Sequence, residues 1–379
     1  MKKIISALAL ATATLCSSAM AAPLPDTPVA FKSGTGALVD GVIYLGLGTA
    51  GQNWYKLDTK AKDPKWVEIA SFIGTPRDQA QSVVLDNKIY VFGGAGKATF
   101  EATRIGALND VYCYDIKKNS WQKVMTRSPF GLTGHAATTV DHKTAIIVGS
   151  VNKAIFDGYF EDIETAQGNK AILDLINATY TGKKCEDYFF NREVLAYNPQ
   201  TNDWASLGQM PTLGTAGSAL AVDGNSVTVI NGERKPGLRT AKVSKFTVNN
   251  NILEWSALQD LVPPTGADVQ EGVAGAFAGV SGHMVLVAGG ANFPGSTVAY
   301  AKGKNFAHQG LTKTWRDEVY AYDGSNWSNV GKLPLPLGYG LALQDGDKIV
   351  LVGGETVGGK PTSQVMTMSF ENGKLVIEK

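Results

Sequence analysis

The stretch Asn231-Gly232-Glu233-Arg234-Lys235-Pro236-Gly237-Leu238-Arg239-Thr240 carries the residue types that proton transfer on an anionic small molecule requires. Glu233 is a carboxylate able to take a proton. Arg239 is a planar cation able to grip a carboxylate through two parallel hydrogen bonds, and the Pro-Gly between them turns the chain so that both can face one ligand. Asn152, Asn292 and Glu355 stand just past short glycine-ended runs, as Glu233 does, while Arg77 and His135 fall on neighbouring strand ends or loops. Asparagines suit hydroxyls and amides, and a second carboxylate suits a second proton-transfer step. Together they suit an acidic, hydroxyl-rich small molecule. The plainer reading is that polar side chains merely line a wet channel.

Other chemistries lack their residues. The histidines are His135, His142, His283 and His308, with no His-Glu-x-x-His pair, no paired-cysteine zinc spacing and no EF-hand pattern, so no metal is expected. No Gly-x-Ser-x-Gly elbow occurs, which leaves Ser-His-Asp catalysis without local support. Charged residues are 18% of the chain, the net charge is +1 and no lysine/arginine run appears. Nucleic acid and anionic membrane both need clustered positive charge, so neither is an expected partner, whereas a small-molecule substrate is.

A repeat must position these side chains. An apolar, β-type run ending in a glycine pair or its remnant recurs six times, at 42–48, 89–94, 145–150, 227–232, 285–290 and 349–354. Behind most copies comes a strand bearing tyrosine and an acid or amide, then a tryptophan, as in Tyr114-Asp115 with Trp121, Tyr197-Asn198 with Trp204 and Tyr322-Asp323 with Trp327. Ahead of each sits a strand of small residues. Four strands per repeat result, separated by Asn/Asp/Gly/Pro clusters that suit tight turns. A period near 50 residues with Gly-Gly, Tyr and Trp is the kelch signature. The chain therefore reads as all-β, a six-bladed kelch-type β-propeller with a short helical insert. One four-stranded sheet cannot cover both its faces, whereas a ring of sheets buries each on its neighbour. The glycine-ended runs are expected as the inner strands, with Thr49, Ala95, Asn152, Glu233, Asn292 and Glu355 near one mouth of the channel. Tyr322-Asp323-Gly324-Ser325-Asn326-Trp327 is slightly like a sialidase Asp-box but fits the Tyr-to-Trp spacing of the repeat better.

Residues 22–379 form one propeller on this reading, with inserts at about 152–191 and 291–316. In the first, apolar residues recur at three-to-four spacing, which predicts two short helices serving as partner contact, lid or plain decoration. Residues 374–378 and 28–31 both read as strands able to complete the closing blade. Lys2 and Lys3, an apolar run over 4–15 and the small residues Ala19 and Ala21 read as an export signal, residues 1–21, cleaved before Ala22. That removal takes the net charge from +1 to −1 and removes Cys16, leaving Cys113 and Cys185, whose pairing spacing alone does not decide. Glycine, 43 residues or about 11% against a usual share near 7%, fits a chain of many tight turns.

Several strings lie in loops that kelch architecture does not dictate: the 231–240 loop, Gly289-Gly290-Ala291-Asn292-Phe293-Pro294-Gly295, Phe156-Asp157-Gly158-Tyr159-Phe160, Gly131-Leu132-Thr133-Gly134-His135 and Gly310-Leu311-Thr312-Lys313-Thr314-Trp315. In these the chain resembles the bacterial N-acetylneuraminate epimerases, also called sialic acid mutarotases. The resemblance implies a periplasmic, cofactor-free homodimer that interconverts the α and β anomers of N-acetylneuraminic acid in support of sialic acid scavenging. Glu233 falls on that family's proton acceptor and Arg239 on its partner for substrate. Glu233 would then take the anomeric proton and Arg239 hold the sugar carboxylate, while Asn152, Asn292 and Arg77 orient hydroxyls or the N-acetyl group and Glu355 is a second acid/base. Arg234 departs from the smaller residue expected in some relatives. The rival reading is a non-enzymatic propeller that binds an acidic sugar or a protein partner. A sialidase would need an arginine triad and a tyrosine nucleophile, and neither is identifiable.

Overall fold

Uninterrupted apolar runs such as Ile349-Val350-Leu351-Val352 leave no solvent face on a strand, so each must be covered on both sides. The computed structural model, which describes residues 23–249 and 252–379, satisfies this with six antiparallel sheets of four main strands each, the second extended by the short strand Arg77–Asp78. Blade 1 runs Thr35–Val39, Val42–Gly46, Trp54–Asp58 and Trp66–Ile69. Blade 2 runs Gln81–Leu85, Lys88–Lys97, Ile105–Asp115 and Ser120–Arg127, and blade 3 Ala136–Thr138, Ala145–Val148, Glu193–Asn198 and Asp203–Gln209. Blade 4 runs Ala219–Asp223, Ser226–Ile230, Val243–Asn249 and Ile252–Ala257; blade 5 Phe277–Ser281, Met284–Ala288, Glu318–Tyr322 and Trp327–Lys332. Blade 6 runs Leu341–Asp345, Lys348–Val352, Val365–Glu371 and Lys374–Glu378.

The first strands of successive blades touch one another around a closed ring, blade 6 to blade 1 included. The six-bladed propeller is thus borne out, with one correction. The glycine-ended strand is second in every blade, and the small-residue strand is innermost. Crowding near the axis is the reason. A Cβ on Gly36 would lie 2.6 Å from Leu341 of the neighbouring blade, and one on Gly279 2.6 Å from Ile349.

Larger side chains take over where the sheets splay apart. Each of the six main apolar clusters lies between one pair of neighbouring blades. Between blades 1 and 2, Trp54 meets Trp121 edge-on at 4.7 Å, a geometry that adds about 1 kcal/mol to the burial of the rings themselves. The repeat's tryptophans also stitch blades by polarity. The indole N–H of Trp121 donates to Ala70 O, that of Trp204 to Thr126 Oγ1 and that of Trp327 to Gln259 O, in each case to the end of the preceding blade. Asp323 accepts from the backbone N–H groups of Ser325 and Asn326, an ordinary turn rather than a sialidase motif.

Residues 374–378 supply the outer strand of blade 6 and residues 28–31 do not. Instead Thr27 N donates to Ser363 O, Phe31 N to Thr362 O, and Gly354 N to Phe31 O, while Phe31 is fully buried between blades 6 and 1. The expected export signal, residues 1–21, lies outside the described residues.

Both predicted helices of the first insert form: α1 (Lys153–Thr165) and α2 (Lys170–Thr181), started by Asn152 and Asn169, whose side chains accept N–H bonds of the first turn. A third helix, α3 (Ser296–Ala301), occupies the second insert and was not anticipated. The Glu271 carboxylate accepts from Gly295 N at 2.6 Å and Thr297 N at 2.8 Å and fixes its start. Cys113 and Cys185 are free, buried thiols in separate clusters. Among the described residues no helix is long and apolar enough to cross a membrane.

Candidate active site

The loops that lead into the inner strands converge at one mouth of the ring. Ser33, Gln79, Gly134, Gly217, Gly275 and Tyr339, one per blade, all have positive φ, between 55° and 69°. Their peptides form a collar: Gly217 N donates to Gly134 O at 2.6 Å, Gly275 N to Gly217 O at 2.9 Å, Tyr339 N to Gly275 O at 2.7 Å, Ser33 N to Tyr339 O at 2.8 Å and Gln79 N to Ser33 O at 2.8 Å. The residue before each collar member bonds to the residue just past the glycine pair. Ala216 pairs with Glu233, Ala274 with Ala291 and Gly338 with Glu355. The positions singled out by spacing therefore surround this mouth.

Glu233 and Arg239 face each other across a tight hairpin of blade 4, strands Glu233–Lys235 and Leu238–Arg239. Glu233 Oε1 accepts from Gly237 N at 2.7 Å and lies 2.9 Å from Arg239 Nη1. Among the described residues nothing donates to Oε2. The guanidinium is buried above the Phe293 ring, 5.0 Å from its centre. Its Nη2 reaches the Tyr339 hydroxyl at 3.5 Å. Although Nη1 is at contact distance from Glu233, its N–H bonds are not aligned on the carboxylate, so Nη1 and Nε have no hydrogen-bond acceptor. Burial opposes the charge of Arg239, but Glu233 and then Tyr339 outweigh it and hold the group above its ordinary value. A permanently charged, buried donor with N–H groups left unaligned on any acceptor is suited to receive an anion.

His308 and Lys235 shape this hairpin, and reading the sequence did not assign either. A Cβ on Gly237 would fall 1.7 Å from His308 Nδ1, so the turn closes onto the imidazole only as glycine, at φ +80°. His308 packs against Phe293 and Phe306, and burial pushes its pKa down against the pull of Glu233, so the ring is neutral at neutral pH. Lys235 is fully buried, with its ammonium donating to Thr181 O at 2.9 Å, Asn305 O at 2.6 Å and Lys183 O. One side chain thus ties the end of α2 and the second insert to the loop that carries Glu233.

The other candidates separate. Asn292 is buried; its Nδ2 donates to Gly272 O at 2.9 Å, and its Oδ1 has no donor. Asn152 Oδ1 accepts from Ile155 N as the cap of α1, which leaves only its NH2 group for a ligand. Arg77 is a correction. Its N–H groups go to Thr75 O, Thr75 Oγ1, Gly93 O and both oxygens of Asp110, the nearer at 2.5 Å, so it braces blade 2 and offers no donor to a substrate. His135 is buried with neither nitrogen bonded, and burial lowers its pKa to about 3. Glu355 accepts from Lys313 Nζ at 2.5 Å, Trp315 Nε1 at 2.9 Å and Lys32 Nζ at 2.7 Å. Burial resists its ionisation, but the two lysines outweigh burial and depress its pKa. The second acid/base role is therefore a poor fit to Glu355, because a carboxylate clamped by two cations is slow to take a proton. A groove of about 550 Å³ lies between α1 and α2 and is lined by none of these candidates.

Known proteins resemble this chain over its whole length. The family model described as N-acetylneuraminate epimerase matches residues 24–377. A Yersinia enterocolitica protein of that name is 50% identical over 99% of this chain and 96% of its own length, and a Salmonella arizonae protein of that name is 46% identical over 100% and 98%. The solved structure of YjhT superposes with a TM-score of 0.89 at 43% identity, covering 94% of this chain and 99% of that one. With likeness over the full length in both sequence and blade architecture, the chain belongs to the N-acetylneuraminate epimerase family.

Proposed function

We propose that this chain interconverts the α and β anomers of N-acetylneuraminic acid by opening and reclosing the sugar ring. In that sugar one carbon, C2, bears the anomeric hydroxyl, the ring oxygen and the carboxylate, so the base and the anion anchor that serve it must be neighbours. The observation that carries the reading is the Glu233 carboxylate 2.9 Å from a buried guanidinium that still has free N–H groups. Arg239 holds the sugar carboxylate. Glu233 Oε1 is fixed by Gly237 N, so Oε2 takes the anomeric proton. As the C2 carbonyl forms, the bond from C2 to the ring oxygen breaks and that oxygen gains a proton. Rotation about C2–C3 offers the other carbonyl face, and the steps reverse. The unpartnered Oδ1 of Asn292 accepts from a sugar hydroxyl or the N-acetyl N–H.

Time-resolved NMR of freshly released α anomer with catalytic amounts of protein tests this. Faster approach to the anomeric equilibrium is expected; binding with no change in the exchange rate would identify a binding protein instead. By the same reading the mature chain works in the periplasm as a homodimer that supports sialic acid scavenging. Support for this is the Lys2-Lys3 and apolar start of the sequence and the family likeness. Cell fractionation and light scattering check those two points.

A further inference from the structure

Ring opening needs an acid for the ring oxygen as well as a base for the anomeric hydroxyl, and the site holds few free donors. Lys32 and Lys313 are both bound to Glu355, and His308 Nδ1 is sealed beneath the Gly237 turn. Tyr339 is different in three respects. Its backbone sits at φ +58°, at a collar position that is glycine in blades 3, 4 and 5, although a bulky aromatic residue disfavours that conformation. It is half-buried at the mouth, and among the described residues its hydroxyl donates to no protein group, its one contact being the N–H it receives from Arg239 Nη2 at 3.5 Å. Lys313 Nζ stands 4.4 Å from the centre of its ring, where a cation favours developing phenolate charge.

Resting on the mutarotase reading above, we infer that Tyr339 is the catalytic acid that serves the ring oxygen, opposite Glu233. Both groups flank one guanidinium, so both reach the carbon whose carboxylate Arg239 holds. In the opening step the Tyr339 O–H gives its proton to the ring oxygen as the bond from C2 to that oxygen breaks, while Glu233 takes the proton of the anomeric hydroxyl. Reclosure returns the ring-oxygen proton to the phenolate and the Glu233 proton to the new anomeric oxygen, so the enzyme ends as it began. The strained backbone is thereby explained. It aims a hydroxyl where a glycine would aim nothing.

Tyr339→Phe keeps the ring, the collar and the contact with Lys313 and removes only the hydroxyl. By anomer-resolved NMR over a range of substrate concentrations, kcat is expected to fall about 100-fold with KM changed by less than about threefold, the size of a lost general acid. A kcat within about twofold of wild type overturns the inference. If the variant fails to fold, 3,5-difluorotyrosine at position 339 preserves the shape and strengthens the acid. It is expected to move the alkaline limb of the kcat profile to lower pH, and an unmoved profile overturns the inference equally. Wild-type protein that speeds nothing removes the mutarotase reading, and this one with it; active wild type with a fully active variant removes this one alone.

Discussion

Lys235→Met separates the helical insert from the catalytic loop without touching either Glu233 or Arg239. The lysine makes three charge-assisted hydrogen bonds to carbonyls, each contributing about 1.5–3 kcal/mol before the cost of burying the ammonium. That cost returns several kcal/mol, and burial indeed pushes the pKa of Lys235 down. A net loss of about 2–4 kcal/mol is left. It falls locally, because Thr181 and Lys183 belong to the end of the insert and Asn305 to the second insert. At 1.4 kcal/mol per factor of ten, a loss near 3 kcal/mol raises local opening by about 100-fold. Hydrogen exchange read by mass spectrometry should show that acceleration in peptides covering α2 and residues 182–188, with blade strands such as Ser226–Ile230 unchanged. Exchange in α2 within twofold of wild type would refute the idea that Lys235 docks the insert. A lower kcat is expected alongside, since the same side chain orients the hairpin.

Two further outcomes concern pH and stability. Glu355→Gln leaves Lys32 and Lys313 facing a neutral amide and should cost about 1–2 kcal/mol at pH 7, modest because both lysines are partly solvated. The folded pKa of Glu355 is depressed from 4.5, so its contribution is present above that value and lost as pH falls through the lower one. Denaturant titration should therefore find the gap between wild type and variant closing below about pH 4. His135 behaves in the same sense for a different reason: burial takes its pKa from 6.5 to about 3, so the unfolded chain protonates first and stability drops as pH falls from 6.5 towards 3. His135→Leu should flatten that slope, removing about 4 kcal/mol of acid sensitivity by pH 3; an unchanged slope would count against a neutral buried imidazole.

What could be read from sequence was what is local or repeated. Glycine-ended runs, tyrosines and tryptophans recur along the chain and so disclosed six sheets, and Glu233 with Arg239 lay on one loop. The order of strands within a blade was misjudged because apolar periodicity does not say which strand is nearest the axis, whereas the crowding at Gly36 and Gly279 does. The clamp on Glu355 was not legible, since Lys32 comes from the other end of the chain and Lys313 from an insert. Arg77 looked available because its partner Asp110 is distant in sequence. Lys235 gave no signal, as its acceptors are backbone carbonyls that any residue type supplies. Tyr339 did leave a trace: aligned with Ser33, Gln79, Gly134, Gly217 and Gly275, it is the one aromatic residue among the six collar positions.

Glu233 as the base, beside a carboxylate held by Arg239, is tested most directly by anomer-resolved NMR of freshly released α-N-acetylneuraminic acid with wild type and Glu233→Gln at equal concentration. Wild type should hasten the conversion. The variant, nearly identical in shape, should lose about 10²–10⁴ in kcat while retaining the ligand, because a glutamine cannot accept the anomeric proton. Full anomerisation by Glu233→Gln would contradict the assignment.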